Sequence, residues 1–184
     1  HGTMVVYIAI MPALMEYIAT NGALMSEGKA LLFVPVALFG IMNCCGGTGN
    51  TLALCVMGLF SKSEQIKAVS RAAVVPGIFN INEPATFGYP IMYNPVLAIP
   101  FIFNPLITMF LCYFGYLAGL FKPSFTMITA TLPVGVSPYL CTLSWTNILI
   151  PVIAFAVAWL VYWPFFKVYE KQLMEKEAAN VEGA

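Results

Sequence analysis

Glu83 is the residue on which any chemistry of this chain must be built. It is the only charged side chain between Arg71 and Lys122, and it sits in the run Asn80-Ile81-Asn82-Glu83-Pro84 among Ile, Phe and Pro. A carboxylate accepts hydrogen bonds, and an asparagine amide both gives and accepts them. Glu83 with Asn80 and Asn82 is therefore suited to line a polar cavity for a neutral, hydroxyl-rich ligand. The competing interpretation is a solvated Glu83 at an interface, ending a turn. His1 is the only histidine, and composition alone gives it no role. The glycine-rich run at 46–49 has no Lys-Ser/Thr after it, so it is not a phosphate loop. There is no CxxC, no HExxH and no Ser/His/Asp set, so an intramembrane hydrolase is disfavoured and no metal or cofactor is expected. The five cysteines (Cys44, Cys45, Cys55, Cys112, Cys141) lie in apolar runs and are expected as small buried residues.

The elements that position Glu83 belong in a bilayer. Of the 184 residues, 60% are hydrophobic and 9% charged, with a mean hydropathy of +0.86. An ordinary globular domain is about 25% charged, and a soluble fold of this size leaves about a third of its unfolded surface wet. Residues 30–61, 84–121 and 123–166 carry no charge, and each run exceeds the roughly 20 residues that a spanning helix needs. A net charge of zero gives no reason to expect nucleic acid. The chain opens on His1 within an apolar stretch, with no basic leader and no small-residue cleavage site. A piece of a longer protein is expected rather than a signal peptide.

Hydrophobic patterning predicts an all-α, multi-pass membrane fold. Residues 1–20 form a membrane helix and 21–29 a polar turn. Residues 30–60 form a long helix whose centre, Asn43-Cys44-Cys45-Gly46-Gly47-Thr48-Gly49-Asn50-Thr51, marks close packing or a local break, or else a ligand contact. Residues 61–75 form a short amphipathic helix on a membrane surface. Ser61 and Glu64 make its capping box, and Ile66, Val69 and Ala73 lie opposite Lys62, Lys67 and Arg71. Six prolines fall in 76–105 (Pro76, Pro84, Pro90, Pro95, Pro100, Pro105). Each one inside a helix removes a hydrogen bond and clashes with the preceding turn. Irregular backbone at membrane depth survives only inside protein or along water, so 76–95 is predicted as a re-entrant hairpin with its tip at 80–84. A helix follows over 96–121. Residues 124–145, broken by Pro133, Gly135 and Pro138 and dotted with Ser and Thr (Thr129 and Thr131 among them), form a second re-entrant hairpin. A last span covers 147–166, with Trp159, Tyr162 and Trp163 as an interfacial belt, and 167–177 continues it into water. The basic surface helix and the basic tail both fall on the cytoplasmic side, since two full crossings separate them. Two broken hairpins are also the sequence mark of a transporter's binding site.

Residues 77–101, GIFNINEPATFGYPIMYNPVLAIPF, resemble the membrane (IIC) component of the bacterial phosphotransferase system, in the lactose/cellobiose/chitobiose permease family. The opening His-Gly, the GGTGN helix and the basic tail extend the resemblance to the C-terminal, substrate-binding half of such a permease, covering 1–177 as one domain with 178–184 as a tail. The resemblance implies a β-linked disaccharide of the cellobiose, lactose or chitobiose type. Glu83 and His1 would face the hydroxyl that becomes phosphorylated, with Asn80 and Asn82 beside them. Trp145 would stack on a sugar ring, although a packing role serves it equally well. The implied partners are a IIB protein bearing the phosphocysteine donor, a IIA protein, the N-terminal half of the permease and, at full length, a second copy in a homodimer. The implied location is the bacterial inner membrane with a cytoplasmic C-terminus, and the chain would be the transport subunit of a sugar phosphotransferase complex. The rival readings are an ion-coupled sugar carrier without phosphoryl chemistry and an inactive truncated fragment.

Overall fold

The computed structural model describes residues 2–41, 43–128 and 132–182. They are mostly helical, with no strand among them. The first helix, α1 (Gly2–Ser26), runs past Pro12 and past the turn expected at residue 21. Asn21 is fully buried instead of solvated. Its amide donates to the carbonyls of Leu32 and Ser124, both at 2.9 Å, and its oxygen accepts from the Leu32 amide. With every polar group of Asn21 satisfied by neighbouring backbone, the helix has no reason to stop there.

The long helix expected over 30–60 is broken. Its pieces are a 3₁₀ turn (Pro35–Ala37), a single turn α2 (Leu38–Ile41), a non-helical stretch over 43–51, and α3 (Leu52–Leu59). Positive φ angles at Gly46, Gly47, Gly49 and Asn50 end the helical path. The amphipathic helix is α4 (Glu64–Ile78), which buries Ile66, Ser70, Ala73 and Gly77 on one face. Its cap is Ser63, not Ser61: Ser63 Oγ accepts from the Ile66 amide at 3.3 Å.

A tip over 79–82 leads into α5 (Glu83–Gly88) and a 3₁₀ turn (Ile91–Tyr93). Asn94 then caps α6 (Pro95–Leu117), accepting from the Val96 amide at 3.0 Å. Pro95 suits the first turn, where no amide hydrogen is needed, and the helix continues through Pro100 and Pro105. It stops four residues before the expected Phe121, at a turn containing Gly119 with φ +71°. After an irregular stretch comes α7 (Val136–Thr142), bounded by left-handed residues Gly135 and Leu143. A 3₁₀ turn (Trp145–Ile148) starts α8 (Leu149–Glu182), so the chain is helical into the expected tail. At 1.5 Å per residue, the 34 residues of α8 reach about 50 Å, against a hydrocarbon core of about 30 Å. Its charged end, from Lys167 on, therefore projects beyond the apolar zone.

Three helices among the described residues are long and apolar enough to cross a membrane: 8–26 of α1, α6, and the helical run from Trp145. Their outward surfaces carry large apolar side chains such as Ile102, Phe110, Phe114, Val152 and Leu160, more than half exposed. Such a face suits lipid. The main core joins α3, α4, α6 and α8 around Leu54, Tyr89, Leu97 and Tyr162. Tyr162 is thus fully buried and leaves the interfacial belt to Trp159 and Trp163, whose rings stack at 6.2 Å with the Lys167 ammonium 5.1 Å from the Trp163 centroid.

The aqueous end of α8 holds the start of α4. Glu170 accepts from Ser61 Oγ at 2.6 Å and from the Lys62 amide at 2.8 Å, and pairs with Lys167 at 3.1 Å. Glu177 accepts from Ser63 Oγ at 2.7 Å. Two carboxylates on α8 thereby satisfy groups at the positive end of α4, where anions are favoured. Burial pushes the Glu170 carboxyl up, but the bonds from Ser61 and Lys62 and the Lys167 ammonium outweigh it and hold the group below its ordinary value.

A carboxyl depressed in the folded state contributes stability that is complete above its unfolded pKa and fades as pH falls through the folded one. Melting temperature should therefore drop on acidification below the ordinary glutamate value of 4.5, and E170Q should flatten that drop while costing about 1.5–3 kcal/mol at neutral pH. A second prediction concerns Gly49, at φ +84°, where a Cβ would strike the Phe101 ring. Thermal denaturation should show G49A losing about 1–3 kcal/mol more than G28A, which shares the positive φ but has open space around it.

Candidate functional site

The site is assembled on the irregular stretch over 43–51, which lies inside the helical core. Cys45, Gly46, Gly47, Gly49, Asn50 and Thr51 are all buried, so each backbone polar group there must find a partner. The Cys45 amide donates to Asn50 Oδ1 at 3.0 Å, and Thr51 Oγ1 donates to the Gly46 carbonyl at 2.7 Å. The Gly49 carbonyl accepts twice, from Asn104 Nδ2 of α6 at 3.2 Å and from Tyr162 Oη of α8 at 2.9 Å. Asn50 also donates to Thr108 of α6 at 3.1 Å. The glycine cluster is therefore a break held by packing and hydrogen bonds.

Against this break sits the tip between α4 and α5. Asn80 adopts φ +60°, a left-handed conformation that asparagine tolerates better than most residues. Its Oδ1 accepts from the Gly46 amide at 2.9 Å and the Gly47 amide at 3.4 Å. Asn82 Nδ2 donates to the Thr48 carbonyl at 2.8 Å. Gly47 has to be glycine here: besides its φ of +74°, a Cβ would lie 2.8 Å from the Asn80 carbonyl oxygen. On its other side the tip meets the segment before α7. The Val134 amide donates to the Ile78 carbonyl at 2.7 Å, and Asn80 Nδ2 donates to the Leu132 carbonyl at 3.4 Å. Glu83 opens α5 with its side chain exposed, and the carboxylate has no hydrogen bond to the described residues.

A cavity of about 290 Å³ lies between α1, the start of the break, the Asn80 tip and α7. That volume falls at the lower end of the usual range for small-molecule sites. Its polar lining is mostly amide and hydroxyl, including Asn43, Asn80, Ser124, Thr126, Ser137 and Asn147, with no charged side chain among the described residues. Asn147 is fixed by two bonds to the Lys122 backbone, accepting at 3.0 Å and donating at 2.9 Å. Cys44 and Cys141 also line it, and all five thiols are free. Among the described residues no group of three His, Cys, Asp or Glu is placed to hold a metal ion.

Of the expected site residues that the structure describes, Asn80 alone lines this cavity. Asn82 and Glu83 follow it along the same tip but stand outside the lining. Trp145 is exposed, with its ring 4.7 Å from that of Tyr139. His1, Thr129 and Thr131 fall outside the described residues. Asn43 opens the run for which the sequence offered a ligand contact as one alternative. Ser124 and Asn147 were not singled out for the site, and the signal for Ser124 was the density of Ser and Thr in 124–145. Asn147 was hidden because it looks like the first residue of a span.

Comparison with known proteins identifies the family of the chain. The family model for the phosphotransferase system EIIC component matches residues 1–105. The lichenan permease IIC component of Bacillus subtilis is 44% identical over 76% of this chain and 31% of its own length. The lactose-specific EIICB component of Staphylococcus haemolyticus is 34% identical over 99% of this chain and 32% of its own length. The crystal structure of the transporter ChbC, the IIC component from the N,N'-diacetylchitobiose-specific phosphotransferase system, superposes with a TM-score of 0.88 at 33% identity, covering 97% of this chain and 42% of that one. The chain thus spans between about a third and two fifths of the length of these proteins. By sequence and by fold, it belongs to the EIIC membrane-component family of the phosphotransferase system.

Proposed function

We propose that this chain is the sugar-binding part of a phosphotransferase-system permease, taking up a β-linked disaccharide and presenting it for phosphorylation. The observation that carries the reading is the cavity, which lies between the two broken segments and whose polar lining among the described residues is neutral, mostly amide and hydroxyl. A disaccharide carries hydroxyls that both donate and accept, and such a lining can meet both without an unpaired charge. In this reading 76–95 and 124–145 are re-entrant hairpins. The helix α4 lies on the cytoplasmic surface and α8 emerges on that side, leaving the C-terminus cytoplasmic. The whole 1–177 region acts as one domain, joined in the full permease to an N-terminal half through which two copies pair.

The transfer follows from the groups available. Glu83, held by Pro84 and flanked by Asn82, accepts a hydrogen bond from the terminal 6-hydroxyl. That oxygen attacks the phosphorus of a phosphocysteine on a separate IIB protein, recharged in turn by IIA. The O–P bond forms as the S–P bond breaks, and the hydroxyl proton passes to Glu83. His1 holds the same hydroxyl, and Trp145 stacks on a sugar ring. Phosphoryl transfer depends mostly on positioning and charge stabilisation, so one carboxylate and an ordered pocket suffice on this subunit. None of the five cysteines serves as the donor.

Calorimetry on the full-length permease tests the reading with cellobiose, lactose and diacetylchitobiose. Saturable binding of one of them is expected, weakened roughly tenfold or more in E83Q, as for loss of a hydrogen bond to a charged group. With phosphorylated IIB present, E83Q should lose about 10²–10⁴-fold in sugar phosphorylation, the usual contribution of a general base. Uptake that follows an ion gradient and needs no IIB would overturn the phosphoryl-transfer reading.

A further inference from the structure

Asn82 has the chemistry of a sugar ligand, yet one of its two amide N–H donors is already committed. The residue occupies the position before α5, where an asparagine ordinarily turns its side chain onto the helix's own first amides. Here it makes no such bond. Its Nδ2 instead crosses to the Thr48 carbonyl at 2.8 Å, while its backbone carbonyl accepts from the Thr86 amide at 2.8 Å and Thr86 Oγ1 at 3.0 Å. A Cβ on Gly47 would meet Asn82 Cβ and Cγ at 3.1 Å, so the side chain is pressed onto the turn. It does not line the cavity. The next residue, Glu83, has no side-chain bond to the described residues, so among them its position comes through the backbone.

We propose that Asn82 is a positioning residue. It fixes the Glu83 backbone through the Thr48 carbonyl and does not bind sugar itself. The inference rests on the reading of Glu83 as the group that meets the reacting hydroxyl. It predicts that the amide donor matters, and that the residue's ability to accept hydrogen bonds does not.

N82D separates the two roles in the full-length permease. The aspartate keeps the size and would still accept from a sugar hydroxyl, but it has no donor for Thr48 and sets a negative charge against that carbonyl. Three readouts are taken on wild type, N82D and N82A: kcat and KM for sugar phosphorylation by phosphorylated IIB, melting temperature, and amide hydrogen exchange over 46–49 and 83–88. A small displacement of a catalytic group costs on the order of 10²-fold. Both variants should therefore lose kcat by about that factor with KM within about threefold, exchange faster in those two segments, and melt near the wild type. Overturning results are N82D retaining kcat, a raised KM with kcat kept, unchanged exchange in both segments, or global loss of fold in both variants. If the wild type phosphorylates no sugar, the phosphoryl-transfer reading fails separately, and exchange alone then decides whether Asn82 holds the tip.

Discussion

A stretch of non-helical backbone buried inside an apolar helical protein can persist only if every amide and carbonyl in it is satisfied from within. Many backbone groups of residues 43–51 find such partners, and much of the architecture is organised around how they do so. The Gly49 carbonyl takes one bond from α6 and one from α8. Asn50 closes the turn and reaches Thr108. The amides of Gly46 and Gly47 are met by Asn80 from the α4–α5 tip. Leaving any one of these groups buried and unpaired would cost about 1–3 kcal/mol, so the helices and the tip are registered on the turn by hydrogen bonds as much as by packing.

That registration links the sequence signature to the cavity. Asn80 uses its oxygen on the turn and its amide nitrogen on the Leu132 carbonyl, and it also forms part of the cavity wall. A shift in either broken segment is therefore felt at the lining and at the start of α5, where Glu83 sits. Farther out, the bonds of Glu170 and Glu177 to the start of α4 keep the other end of that helix from swinging. The site is thus carried by a helix tied at both ends.

The membrane character of the chain, its breaks and its likeness to a permease family were legible because each has a local cause. Charge-free runs set the long helices, prolines and glycines set the interruptions, and a single glutamate among apolar residues marked the tip. Long-range pairing was not legible. Residue 21 looked like a turn because nothing local shows that Leu32 and Ser124 satisfy its side chain. Tyr162 looked interfacial because its partner, the Gly49 carbonyl, is 113 positions away. Residues 30–60 read as one helix with close packing or a local break at its centre, and the sequence did not decide between them because the positive φ angles that divide it are stabilised by α6, α8 and the tip. The cavity wall formed by Asn43, Ser124 and Asn147 comes from three separate segments, and no spacing rule joins them.

The central claim is that a disaccharide occupies the cavity between the Asn80 tip and the 124–142 segment, within reach of Glu83. The most direct measurement is an experimental structure of the full-length permease with its disaccharide bound. The account predicts sugar density in this cavity, with hydroxyls in hydrogen-bond contact with Asn80 and at least one of Ser124, Thr126 and Ser137, and one hydroxyl directed to Glu83. Density for the sugar elsewhere, with this cavity filled by side chains or left apart from Glu83, would contradict it.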